Sequence, residues 1–219
     1  MESLFDTAEG GEDREKRLEE LARQVAVCTK CDLAKTRTNT VFGTGDPYSP
    51  LMLVGEGPGE NEDATGLPFV GRAGKLLDDI LAAVDLTRQQ IYLTNIVKCR
   101  AAVEEGGRLR NRQPKTSEIR ACNPYLQGQI EAVRPEIILC LGGPAAKTII
   151  DKDFRITKDR GKWYEIDGIK TMATFHPAYV LRQRGDDLNN TKRLVWKDIK
   201  AVYAEYQKAM ETRGRGSDG

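Results

Sequence analysis

The chain has one histidine, few aromatic residues and almost no net charge, and each shortage narrows what it can be. A formal charge of +1 argues against wholesale coating of nucleic acid, while leaving room for a local basic face. No apolar run approaches membrane length; the longest, such as "EIILCLGG", fall far short of a span. The N-terminus "MESLFDTAEGGEDREKR" carries no apolar segment, so it is neither a secretory signal nor an Arg-rich transit peptide. These absences point to the cytosol, where thiols stay reduced. Five cysteines therefore do not read as a disulfide framework, and metal or redox use is the better reading for those that cluster.

At 219 residues the chain suffices for one α/β domain and is short for two. The pattern predicts a flexible acidic leader over 1–14, a single domain over 15–210 and a disordered tail over 211–219. Four short apolar runs recur at 51–55, 91–97, 136–142 and 170–176. Helical segments precede, separate and follow them at 15–28, 73–84, 116–133, 144–151 and 191–210. Strands alternating with helices imply βαβ units. The expected fold is a three-layer α/β/α sandwich around a central, mainly parallel four-stranded sheet. Two segments, 101–114 and 182–190, read as flexible insertions.

In an open parallel sheet, ligands bind beyond the carboxyl ends of the strands. Those ends carry Glu56 with its glycines, Asn95, the Gly142–Gly143–Pro144 turn and His176. Taken singly, Asn95 reads as a strand cap, His176 as a hydrogen-bonded corner and Glu56 as a solvated turn acid. Together, at equivalent strand ends, they read as one site.

The loop "VGEGPGENEDATGLPFVGRAGKLL" follows the first strand and superficially suggests a phosphate cradle. A Walker loop needs Gly-Lys-Ser/Thr, and here Lys75 is followed by Leu76. A dinucleotide fingerprint needs a third glycine that "GEGPGE" lacks, and the acids Glu56, Glu60, Glu62 and Asp63 would repel pyrophosphate. No nucleotide cofactor is expected.

Cys140 sits within an apolar run and reads as a small buried hydrophobe. The other four, Cys28, Cys31, Cys99 and Cys122, form a candidate tetrathiolate site for zinc or for a four-iron cluster. Only one C-x-x-C pair is present, which tilts toward iron–sulfur. Because the acids and His176 lie elsewhere, the metal's role is structural. Basic residues crowd the segment 98–120 (Lys98, Arg100, Arg108, Arg110, Arg112, Lys115, Arg120), and Arg182 and Arg184 follow the histidine. Two basic loops flanking one polar site suggest a polyanion laid across it.

"GEGPGENEDATGLPFVGRAGKLL", "YLTNIVKCR", "NRQP" and "HPAYVLR", with the four spaced cysteines, closely resemble the family 4 uracil-DNA glycosylases, which carry a 4Fe–4S cluster. The resemblance runs from about Arg23 to Tyr206. It implies a monomeric, cytoplasmic enzyme of base excision repair that hydrolyses the N-glycosidic bond of uracil flipped out of single- or double-stranded DNA. By motif position, Phe69 would stack on uracil, Asn95 would read its Watson–Crick edge, and His176 with the Gly57 N–H would hold O2. Glu56 would position or activate water and stabilise the sugar cation, with Glu62 and Asn111 in support. Arg110, Arg112, Arg182 and Arg184 would contact DNA, and Cys28, Cys31, Cys99 and Cys122 would hold the cluster.

The segment between Cys99 and Asn111 is longer than in typical members. A related group with a comparable insertion has a histidine in place of Asn111 and traps itself covalently on uracil-DNA. The alternative expectation is therefore a uracil-DNA-binding protein that forms a stable or covalent complex. With no second histidine, that nucleophile is missing, and turnover is favoured.

Overall fold

The computed structural model describes residues 6–215, with side chains described over 13–214. In chain order the helices are α1 (Asp6–Ala26), α2 (Glu60–Thr65), α3 (Arg72–Ala82), α4 (Thr116–Val133), α5 (Gly143–Ile149), α6 (Ile156–Asp159), α7 (Pro177–Arg182) and α8 (Gly185–Arg215). The strands are β1 (Thr44–Gly45), β2 (Leu51–Gly55), β3 (Tyr92–Asn95), β4 (Ala102–Glu105), β5 (Arg108–Asn111), β6 (Ile137–Leu141), β7 (Trp163–Ile166) and β8 (Ile169–Thr174). The expected leader and tail lie partly outside the described residues; within them, helix starts at Asp6 and ends at Arg215.

The central sheet has six strands in the order β1-β3-β2-β6-β8-β7. Its inner four are parallel and coincide with the four apolar runs. The expected four-stranded sheet is thus extended at both edges, by β1 and β7, each pairing antiparallel to its neighbour. Neither edge strand announces itself in sequence. β1 has two residues, and β7 alternates exposed and half-buried positions because only one face packs.

The inner strands are buried on both faces over most of their length, which is why they are largely apolar. Side chains still sort by the period of two. Met52, Val54, Tyr92, Ile138, Cys140 and Ala173 point into a core with Leu18 of α1, Leu126 and Val133 of α4 and Ala146 of α5. Leu51, Leu53, Leu93, Leu139 and Met172 point the other way, onto Leu77 and Leu81 of α3 and Ile199 and Val202 of α8. That is the expected three-layer sandwich.

Neither expected flexible insertion is irregular. Residues 102–111 form a two-stranded hairpin, β4–β5, turning on Gly106 and Gly107, both at positive φ, where glycine is unstrained. Residues 182–190 are almost wholly taken up by the end of α7 and the start of α8. Among the described residues no helix is long and apolar enough to cross a membrane.

One buried ion pair ties the last helix to the sheet. Asp198 of α8 is 2% exposed and accepts from Arg160 and, at 2.7 Å, from Thr174 Oγ1 at the end of β8. Removing the carboxylate strands a buried guanidinium, so Asp198→Ala should cost about 3–5 kcal/mol, read as a lowered midpoint in chemical denaturation.

Candidate active site and thiol centre

At the carboxyl edge of the sheet a cleft of about 890 Å³ opens between the glycine-rich loop, the β5 end of the hairpin and α5–α7. Glu56, Gly57, Glu62, Phe69, Asn95, Asn111, Arg112, His176 and Arg182 all line it. The sheet register explains the convergence: Gly55 at the end of β2 pairs with Asn95 at the end of β3. β8 delivers His176 two residues beyond its last residue, Thr174.

Gly55 is required by close approach. A Cβ there would collide with the Asn95 Oδ1 and with the Phe69 ring. Asn95 is 2% exposed, and its Oδ1 is a buried acceptor without a hydrogen-bond partner. Burying an unpaired carbonyl oxygen costs about 1–3 kcal/mol, a cost the fold carries at a residue that lines the cleft. The Phe69 ring faces the imidazole of His176, centroids 5.9 Å apart and planes 26° from parallel.

His176 caps α7, its Nδ1 accepting from the Ala178 N–H at 3.0 Å. That bond assigns the lone pair to Nδ1 and the proton of the neutral ring to Nε2. Burial, reinforced by the positive charge of Arg182 and only partly opposed by Glu62, lowers its pKa to about 4. The ring is therefore a neutral N–H donor at physiological pH. Glu56 is half-buried, and burial raises its pKa, with Arg182 pulling the other way.

The remaining acids of the loop have other work. Glu62 Oε2 accepts the Gly59 N–H at 3.0 Å, while Oε1 accepts those of Val70 and Gly71 at 2.9 and 2.8 Å. It therefore staples the glycine turn to the Phe69 segment, which makes it a positioning carboxylate. Asp63 is 4% exposed and accepts the Thr38 N–H. Asn111 reaches the cleft from β5, its Oδ1 accepting from Arg100 Nε at 2.7 Å.

The basic face is smaller than the sequence suggests. Lys98 is 1% exposed; its Nζ donates to Thr94 Oγ1 and the Asn95 carbonyl, both at 2.7 Å, and to Gln129 Oε1 at 2.5 Å. Burial pulls its pKa down to about 7. Arg100 is also buried, and Arg112 lines the cleft but forks onto Glu118 at 2.7 and 2.8 Å. Arg110, Arg182 and Arg184 are exposed; of these only Arg182 lines the cleft. Arg110 faces Glu105 at 3.5 Å, and Arg184 bonds the carbonyls of Leu181 and Gln183. Lys147 and Arg155 also line the cleft. Sequence reasoning missed them, for want of any local signal setting them apart from other surface charges.

Cys28, Cys31, Cys99 and Cys122 line a second, small cavity between α1, the start of α4 and the chain after β3. Cys140 is fully buried elsewhere, in the core. Among the four, the Cys122 sulfur accepts from the Lys98 N–H and that of Cys99 from Arg37, each at 3.3 Å. Burial pushes the Cys99 thiol up to about 11, so a thiolate there needs a compensating positive charge, which a bound metal supplies. Among the described residues no three ligand-type side chains are gathered closely enough for one metal ion. Four thiols around one small cavity are a donor set that zinc and a four-iron cluster both accept.

The single histidine makes one measurement unambiguous. Its ring should titrate near pH 4 by NMR, well below the ordinary 6.5. The unfolded chain then takes up a proton that the folded chain refuses between those values, so this group lowers stability as pH falls from 6.5 towards 4. Activity that needs Glu56 ionised should fall on an acid limb set by that carboxylate, above its ordinary 4.5. A His176 ring that titrates at 6.5 would contradict the neutral-donor assignment, and an acid limb below 4.5 would contradict that of Glu56.

Comparison with known proteins bears on the same residues. The family model described as the uracil DNA glycosylase superfamily matches residues 42–200. A type-4 uracil-DNA glycosylase of Archaeoglobus fulgidus is 43% identical over 172 residues, covering 75% of this chain and 83% of that protein. One from Thermotoga maritima is 42% identical over 188 residues, covering 85% and 93%. A type-5 uracil-DNA glycosylase of Pyrobaculum aerophilum is more distant, 27% identical over 152 residues. The matched span runs from just before β1 into α8 and takes in every cleft residue named above, so the chain belongs to the uracil DNA glycosylase superfamily, alongside its type-4 members.

Proposed function

We propose that the protein is a monofunctional uracil-DNA glycosylase that removes uracil from DNA and leaves an abasic site for base excision repair. The observation that carries this reading is the unpaired, buried Asn95 Oδ1 beside an aromatic ring, a neutral imidazole donor and a half-buried carboxylate in one cleft. An amide pairs with uracil by accepting N3–H and donating to O4. Cytosine presents a bare N3 to the same oxygen and leaves it unpaired, which is the kind of mismatch that rejects a substrate strongly.

The flipped base stacks on Phe69 and is read by Asn95. As the bond between C1′ and N1 breaks, the electron pair passes to the base, and negative charge grows on O2. The Nε2–H of His176 and the Gly57 N–H receive that charge; a donor already neutral loses no proton in doing so. The sugar becomes cationic, and Glu56 stabilises it and orients the water that attacks C1′. The water's proton leaves to Glu56 or to solvent. Glu62 and Asn111 hold the walls of the pocket. Arg182 and, at the periphery, Arg110 and Arg184 meet DNA phosphates, whereas Arg112, committed to Glu118, contributes mainly to the shape of the cleft.

Cys28, Cys31, Cys99 and Cys122 hold a structural 4Fe–4S cluster, which pins α1 and α4 beside the strand that carries Asn95. The protein acts on single- or double-stranded DNA as a monomer in the cytoplasm. Covalent capture is the weaker reading, because the Asn111 amide, held by Arg100, is not a nucleophile.

Purified holoprotein should release free uracil from a labelled uracil-containing oligonucleotide with multiple turnovers. Intact DNA after alkaline treatment, or an adduct on a denaturing gel, would overturn the reading. His176→Ala should lower kcat about 10²–10³-fold and Glu56→Gln about 10²–10⁴-fold, with folding retained by circular dichroism.

Concentrated holoprotein should be brown, with broad visible absorbance that is lost with Cys99→Ala. Colourless, zinc-containing protein would replace the cluster by zinc.

A further inference from the structure

We propose that Arg88, which lies outside every motif of the site, is a positioning residue for base recognition: it holds the Phe69 backbone in the conformation that presents the ring to the flipped base. The proposal rests on the reading of Phe69 as the stacking face.

Phe69 has φ 54°, a left-handed conformation that a bulky side chain adopts only when its surroundings impose it. Those surroundings can be named. Arg88 Nη1 donates to the Pro68 carbonyl at 3.0 Å and Nη2 to the Phe69 carbonyl. On the other side, the next two N–H groups, of Val70 and Gly71, are taken by Glu62. The peptide units before and after the strained residue are thus clamped from opposite directions. Beneath it, Gly74 in the first turn of α3 leaves room: a Cβ there would strike the Phe69 carbonyl, and the Gly74 carbonyl itself accepts from Arg88 at 3.3 Å.

The guanidinium is in turn held by Asp78 of α3, through Nε at 2.5 Å and Nη2 at 3.1 Å. Three carbonyls and a carboxylate gathered on Nε, Nη1 and Nη2 use the fork of an arginine, which lysine does not reproduce. Arg88 opens the short 3-10 turn Arg88–Gln90, which runs directly into β3 and ends at Asn95. The segment that delivers the base-reading amide therefore also sets the aromatic face beside it, so ring and amide keep a fixed relation.

An arginine that bonds carbonyls could serve loop stability alone, and the experiment must separate the two roles. The Phe69 ring lies over the imidazole of the only histidine, so the His176 ring resonances report the orientation of Phe69 through its ring current. Wild type, Arg88→Met, Arg88→Lys, Phe69→Ala and Arg88→Met/Phe69→Ala would be compared as holoproteins for uracil release, His176 shifts and thermal midpoint. Expected are a KM increase of about tenfold for Arg88→Met, within the range for losing one base–aromatic stack, displaced His176 resonances in both Arg88 variants, and little added loss on the Phe69→Ala background.

A lower midpoint with unmoved KM and His176 resonances, while Phe69→Ala is impaired, would overturn the proposal, as would additive losses in the double variant. If Arg88→Met does not fold, Arg88→Lys decides by the same resonances. If Phe69→Ala itself has wild-type KM, the stacking reading fails, and the clamp is judged on the His176 shifts alone.

Discussion

A single methyl group added at position 55 would fall on the Asn95 amide and the Phe69 ring together, and the site depends on that space staying open. The glycine ends the second strand of a parallel sheet, in register with Asn95. Parallel strands end on the same edge, so one sheet brings together groups far apart in sequence: a carboxylate from residue 56, an amide from 95, an imidazole from 176. The apolar layers on both faces fix the strands that bring the amide and the ring to either side of Gly55. A tightly packed sheet end is also where an acceptor can be left unpaired at a tolerable cost, since the surrounding core supplies the stability.

The glycine-rich loop resolves into a division of labour among its acids. Glu60 is exposed, with only a long contact to Arg100. Glu62 and Asp63 are consumed by backbone N–H groups and give the loop its shape. Glu56 is left facing the cleft. What resembles a phosphate cradle in composition is a carboxylate-stapled turn, in which the N–H groups of Gly59, Val70 and Gly71 are already taken by the protein's own Glu62. The same burial that raises Glu56 lowers His176, because desolvation disfavours whichever form is charged. One cleft thus keeps its donor neutral and its acid weakened.

Much of this was legible in the chain. The four inner strands, the helices between them and the sheet edge that carries the site follow from apolar runs of strand length alternating with helical periodicity. That signal is strong where both faces of a strand are buried. It fails at β1 and β7, where only one face or two residues take part, and at residues 102–111, where the hairpin's strands are exposed and its charged composition matches that of a loop. Charge was the least transferable inference. Lys98 and Arg100 read as a basic face and are interior residues, and Arg112 reads as a phosphate ligand but is bound to Glu118.

The sequence by itself determined the family, the α/β layering with its four inner strands, and which residue types stand at the strand ends and in the cysteine set, because these depend on spacing along the chain. Only the tertiary structure decided how each polar group is used. Whether a lysine is solvated or buried, whether a glutamate faces the cleft or staples a loop, and which arginine bonds the Phe69 carbonyl all depend on partners from distant segments. Glu62 meets the next loop segment, Arg112 meets α4, and Arg88 reaches back nineteen residues to Phe69. Those contacts exist only after the layers have closed, and a polar side chain carries in its own identity no record of the partner it will find.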